Sequence, residues 1–289
     1  MSEARILDQG YRRYEGPRRG AAGAVRSLAW YSAQRALGLR RSGWAKLLPI
    51  AAVVIAYLPA AVYVGVAAIV PSEFREELEI LPTYADYYFF ITAAIVLFVA
   101  LVGPEMLCPD RRHGTLGLYL ASPLDRRTYL VAKVLAVVPV VGLVTFGPPL
   151  LLLLGFTLAD AGPGGVDDFL LVLGRMVIGA LVVSGPFVAV ALAAGSLTER
   201  RAFASGGVIL LLLATNITTF QLVEGNDVDA SVLLLNVFYF PLELVQRIYT
   251  QPGEYPAIAT AALVAATVAW TVVPGALVWW RYRRLTVTR

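Results

Sequence analysis

Residues 105–133 read Glu-Met-Leu-Cys-Pro-Asp-Arg-Arg-His-Gly-Thr-Leu-Gly-Leu-Tyr-Leu-Ala-Ser-Pro-Leu-Asp-Arg-Arg-Thr-Tyr-Leu-Val-Ala-Lys. This charged island separates two apolar segments, each long enough to cross a bilayer, because about 20 apolar residues span ~30 Å of hydrocarbon. The island must therefore project into water on one side of a membrane. Its residue order is that of a short surface helix. Gly114 opens it, Thr115 to Ala121 supply an apolar ridge, and Ser122-Pro123 stop it. Asp125 can then cap the next helix, as Asp does at N-caps. A helix lying across a membrane surface is a shape suited to being gripped by a soluble partner.

Composition agrees with a membrane setting. The 289 residues are 58% apolar and 15% charged, against about 25% charged in typical soluble domains. Six long apolar runs extend over 47–70, 87–107, 129–158, 169–195, 203–223 and 257–280. The reading is an all-α polytopic membrane protein with six transmembrane helices. The third and fourth runs exceed the bilayer span, so they should tilt, kink or protrude. Pro139, Pro148 and Pro149 in the third, and Pro186 in the fourth, are the expected kink points.

Basic residues mark the cytoplasmic side. Of the 24, the preface up to Lys46, the island, the Arg200-Arg201 connection and the tail from Arg281 together hold 21. Arg75 and Arg247 fall opposite, and Arg175 lies within a span. Most acidic residues fall on the opposite side, among them Glu73, Asp86, Asp168, Asp227 and Glu254. Both termini are therefore expected in the cytoplasm and the chain in the plasma membrane. Topological sorting accounts for the net charge of +4 without a nucleic-acid partner. The first apolar run follows 46 polar, Arg-rich residues, so no secretory signal peptide is expected. Cys108 is the only cysteine, which excludes an intrachain disulfide and reads as packing.

The organisation expected is a cytoplasmic tail and connecting helix over 1–46, a six-span domain over 47–280 and a tail over 281–289. Within the six-span domain lie the island (105–133) and an outer loop (224–256). A turn is expected at Gly16-Pro17. Residues 21–46 read as a partly amphipathic helix, with Val25, Leu28, Ala29, Ser32, Ala36 and Leu39 on one face. Such a basic helix is interfacial, or else a simple topology anchor. In the outer loop, Ser231 to Tyr239 is apolar but too short to span, and Pro241, Glu243 and Arg247 follow. This fits a re-entrant or interfacial hairpin before the last span, a shape tolerated where it is buried in protein or lines a cavity.

The island resembles the type-2 permeases of ATP-binding-cassette (ABC) transporters. The resemblance is carried by Asp110-Arg111-Arg112-His113-Gly114-Thr115-Leu116, then Leu118 to Leu124 with its Ser122-Pro123, then Arg126 and Lys133. The layout of connecting helix, six spans, loop after the second span and long final outer loop is similar too. Many members carry Glu after Gly-Thr-Leu, where this chain has Gly117. The resemblance implies a dimer of permeases, taken here as a homodimer, docked to two copies of a soluble ABC ATPase. ATP and Mg would bind that partner, and this chain would hold no cofactor. Arg111, Arg112, His113, Thr115, Leu118, Tyr119, Asp125, Arg126 and Arg127 are the candidate ATPase-coupling residues.

The residues themselves agree on one point. No Gly-rich phosphate loop ending in Gly-Lys-Ser/Thr is present, so an ATP-driven process needs its motor on another polypeptide. One histidine and one cysteine cannot make a metal site alone. No span carries a central Asp, Glu, Lys or His, which disfavours an intramembrane enzyme and an ion-coupled carrier. Glu105 and Asp86, at span ends, are expected to reach water. Arg175 reads either as a contact for an anionic group or as a snorkelling side chain paired with Asp168 or Asp86. Thr215, Asn216 and Thr219 crowd the fifth span and read as cavity wall or interhelical glue. Together with Arg175 they are the candidate translocation path. The expected function is the permease subunit of an ATP-driven exporter for an amphiphile such as a lipid, drug or natural product. The alternative is a mechanotransmission or assembly subunit that moves no substrate.

Overall fold

In a computed structural model of the protein, residue 16 and residues 20–39, 43–77 and 80–285 are described. Pro17 of the turn expected at Gly16-Pro17 and the Arg40-Arg41 pair fall outside that set. Among the described residues there is no strand. The helices are α1 (Gly20–Ala36), α2 (Gly43–Ile69), α3 (Ser72–Glu77), α4 (Tyr87–Arg112), α5 (Thr115–Leu120), α6 (Arg126–Thr145), α7 (Gly147–Leu158), α8 (Val166–Leu197) and α9 (Arg201–Asn226). A short 3₁₀ helix (Ala230–Leu235), α10 (Phe240–Ile248) and α11 (Thr260–Arg284) complete the order.

Six of these, α2, α4, α6, α8, α9 and α11, are long and apolar enough to cross a membrane. The overlong third run breaks where its prolines predict. Phe146 ends α6, and Pro148 and Pro149 fall in the first turn of α7, where a missing N–H costs nothing because those donors have no intrahelical partner. Pro139 and Pro186 sit inside α6 and α8 without ending them. The 32 residues of α8 run about 48 Å at 1.5 Å each, so this helix overhangs the hydrocarbon.

The centre of the bundle is the pair α4 and α8, which pack on each other and on most of the remaining spans. They approach closely through small residues. A Cβ added to Gly103 would lie 2.4 Å from the Ala191 Cβ, and one added to Gly195 would lie 3.2 Å from the Pro104 Cα. Small residues are what permit tight helix contact within a bilayer, where lipid offers apolar side chains no less favourable an environment. The spans α2, α9 and α11 are peripheral. They expose Leu58, Val62, Leu210, Ile217, Val268 and Val272, a surface that lipid or another chain covers.

At the basic end of the bundle, α1 lays Leu28, Ser32 and Ala36 against α6 and α4 while Trp30 stays exposed. Protein therefore covers the middle of its apolar stripe, while Leu39 at the far end is exposed. At the acidic end, the 224–256 segment holds the 3₁₀ helix and α10. Residues Phe240 to Gln246 of α10 are buried, and α10 packs against α8 and α11. Its Glu243, fully buried, accepts from Arg247 at 2.9 Å and from the Glu254 N–H at 3.1 Å.

Candidate functional site

The island is built by three local devices. His113 follows α4, and Gly114 takes a left-handed φ of 66°, a conformation that glycine adopts without a Cβ penalty. That turn starts α5, the apolar ridge expected from Thr115 onward. Asp125 then caps α6: its carboxylate accepts from the Thr128 N–H at 2.7 Å, and the Asp125 N–H donates to the Thr128 hydroxyl at 2.8 Å. These hydrogen bonds hold the Asp125 carboxyl below its ordinary pKa, so the cap is charged at neutral pH.

The nine candidate coupling residues divide into two groups. Arg112, His113, Leu118, Asp125 and Arg127 are exposed, and Leu118, at the crest of α5, is 73% exposed. Arg127 also lies 5.7 Å from the Trp279 ring centre. The remaining four turn inward. Arg111 donates to the Ser196 carbonyl at 2.5 Å and reaches Glu199 at 3.5 Å, pinning the end of α4 to the α8–α9 connection. Arg126 donates to the carbonyls of Arg283 and Leu285 at the end of α11. Thr115 donates to the Asp110 carbonyl, and the Tyr119 ring lies 6.0 Å from that of Tyr129.

Beneath α5 lies a cluster that sequence reasoning missed. The Asp110 carboxylate, wholly buried, accepts from Arg35 at 2.7 Å, from Lys133 at 2.6 Å and from the Tyr129 hydroxyl at 2.8 Å. Lys133 also donates to the Ser32 hydroxyl at 2.9 Å. Glu105 is 2% exposed, with Arg201 at 3.0 Å and Arg35 at 3.7 Å. Three cations and two carboxylates thus tie α1, α4, α6 and α9 together. Burial pulls Arg35 toward the neutral form, yet the adjacent Asp110 carboxylate outweighs it and holds its pKa above the ordinary value.

The expectation that Glu105 reaches water is therefore corrected, and the wet part of the island contracts, because both of its ends are helical and their charges are paired in the interior. The signals present in the sequence were Ser32 within an apolar stripe, and Tyr129 and Lys133 four residues apart, on one face of a helix.

The candidate path residues divide between two helices, Thr215, Asn216 and Thr219 on α9 and Arg175 on α8, and among the described residues no bond joins Arg175 to the other three. On α9, the Thr215 hydroxyl donates to the Leu211 carbonyl at 2.9 Å and the Thr219 hydroxyl to the Thr215 carbonyl at 2.7 Å. Both hydroxyls donate within their own helix, and among the described residues neither bonds to another helix. Asn216 is half-buried and its side chain has no partner among the described residues. Arg175, on α8, lies 5.9 Å from the Tyr249 ring centre. It pairs with neither Asp168 nor Asp86. Asp86 instead accepts from Gln246 at 2.9 Å and Thr83 at 2.7 Å.

A search of curated proteins found no match. A family model described as ABC-2 family transporter protein matches residues 29–286, from the middle of α1 to just beyond α11.

Proposed function

Since this chain belongs to the ABC-2 transporter family, a family of multi-pass permease components that work with an ABC ATPase, we propose that it is the membrane subunit of an ATP-driven exporter. In this reading the ATPase is a separate polypeptide, present in two copies and carrying ATP and Mg. Two copies of the permease form a homodimer in the plasma membrane, with the island and both termini in the cytoplasm. The cargo is an amphiphile, in keeping with apolar spans that carry few hydroxyls and amides.

The observation that carries this reading is the build of α5. Its Leu118 is an exposed apolar residue in a segment whose Arg112, His113, Asp125 and Arg127 are exposed as well. The helix stands directly on the buried ion cluster, so a push on α5 bears on α1, α4, α6 and α9 together. The transport reading leads over mechanotransmission because the acidic-end segment 224–256 is short and packed onto the bundle, leaving no separate domain there to receive force. The test is reconstitution of the chain with its ATPase in proteoliposomes, reading ATP-dependent flux of a fluorescent amphiphile. An assembled, ATP-hydrolysing complex with no flux of any amphiphile tested would favour mechanotransmission.

A further inference from the structure

Arg175 is a cation at membrane depth without an anion. Among the described residues its guanidinium makes no ion pair and no hydrogen bond, and its neighbour is the face of the Tyr249 ring. A charge within a span is costly and is normally paired or cavity-facing. The groups around it do not supply what is missing. The Tyr249 hydroxyl interacts electrostatically with both Arg175 and Tyr84, and the Tyr84 and Tyr249 rings lie 6.5 Å apart. Both hydroxyls are buried without a hydrogen-bond partner. Three donor-bearing side chains thus adjoin in the order Arg175, Tyr249, Tyr84, and among the described residues none of the three has a hydrogen-bond acceptor.

Depth and surroundings say what the acceptor is. Arg175 lies nine residues beyond Val166, about 13 Å along α8 from its acidic end. If the helix of about 48 Å is centred on ~30 Å of hydrocarbon, it overhangs by about 9 Å at each end. The Arg175 backbone then sits about 4 Å below the hydrocarbon boundary, a depth from which an arginine side chain reaches the phosphate layer. Its neighbours on the same helix side, Leu171 and Ile178, are both 53% exposed and apolar, a surface suited to acyl chains.

We propose that Arg175, with the Tyr249 and Tyr84 hydroxyls, binds the phosphodiester of a phospholipid in the leaflet at the acidic end of the bundle. The guanidinium presents paired N–H donors that match two phosphate oxygens, and a small rotation of the tyrosines adds theirs. This site does not rest on the transport reading. It would hold a lipid whether or not the chain moves one.

The test uses the full chain, delipidated in mild detergent. It is titrated separately with phosphatidylglycerol, with diacylglycerol of the same chains, and with inorganic phosphate, reading thermal stabilisation and, by native mass spectrometry, bound lipid. Phosphatidylglycerol should stabilise the wild type and remain bound, and diacylglycerol should not. Arg175→Gln should weaken phosphatidylglycerol binding by about tenfold, the scale of a lost charge-assisted contact, and Tyr249→Phe, which keeps the ring, should weaken it less. If Arg175→Gln does not fold, Arg175→Lys decides, because it keeps the charge, loses the fork and should bind about threefold more weakly. Equal binding by wild type and the Arg175 variants overturns the site. So does equal stabilisation by diacylglycerol. Inorganic phosphate that reproduces the full effect would assign the site to a free anion and overturn the lipid.

Discussion

The Lys133 ammonium lies 2.6 Å from the Asp110 carboxylate, with the two side chains 1% and 0% exposed. One belongs to the end of α4 and the other to the second turn of α6, so the pair closes the loop that carries α5. Removing two charges from water is expensive, and the pair persists because the remaining polar capacity is used. Arg35 and Tyr129 complete the Asp110 carboxylate, and Ser32 takes a second Lys133 proton. A buried pair with these extra hydrogen bonds is the arrangement in which attraction offsets desolvation.

Removing one partner leaves the other uncompensated. Lys133→Met should lower the stability of the purified chain by about 3 kcal/mol, the scale of a broken buried pair. Asp110→Asn should act similarly, and the double variant should lose markedly less than the sum. Thermal melting of all four proteins in one detergent measures the coupling, and additive losses would sink the claim that the two charges act as a unit.

The division of the island predicts two phenotypes. Leu118→Asp and Arg112→Glu should abolish co-purification with the ATPase while leaving the melting temperature near that of the wild type. Arg126→Ala and Arg111→Ala should lower the melting temperature, because they release the ends of α11 and of the α8–α9 connection, while the partner still binds. The reverse pattern in a pull-down would show that the inward-facing arginines form the contact.

The Asn216 side chain has no partner among the described residues, so no contact seen there needs its amide to hold the bundle together. Asn216→Leu should leave thermal stability unchanged and reduce transport in proteoliposomes with ATPase assembly intact. A loss of about 1 kcal/mol, the scale of an interhelical hydrogen bond in a membrane, with normal flux would remove this face of α9 from the path.

Gly103→Ala tests the α4–α8 crossing. The added methyl meets the Ala191 Cβ at 2.4 Å and the Ala191 backbone at 3.3 Å, and neither can rotate away. Forcing a methyl into a packed contact costs about 1–3 kcal/mol, so the melting temperature should fall. A wild-type value would mean that the two helices do not touch there.

Sidedness can be read by labelling. In a Cys108→Ser background, single cysteines at Ser72, Gly164 and Asp227 should react with an impermeant thiol reagent on intact cells, and one at Ser122 should not. Labelling of Ser122→Cys alone would invert the topology.

The sequence by itself determined the features that depend on short stretches of chain. Six spans follow from run length, because a helix must be apolar over the hydrocarbon thickness. The break between α6 and α7 follows from Pro148 and Pro149, which cannot donate to the preceding turn. The start of α5 at Gly114 and the Asp125 cap follow from conformational freedom and side-chain reach within four residues. Tertiary structure alone decided which charges are wet. Arg35 meets Asp110 across 75 positions and Lys133 meets Ser32 across 101, so the local signals at Ser32, Tyr129 and Lys133 do not by themselves place Glu105, Asp110 and Lys133 in the interior and Arg112 outside. Likewise only the fold shows that Arg111 and Arg126, candidate coupling residues in the sequence, bond to the ends of α8 and α11. The reason is physical: a charge can be buried only where partners arrive to replace its water, and helix packing brings those partners from distant parts of the chain.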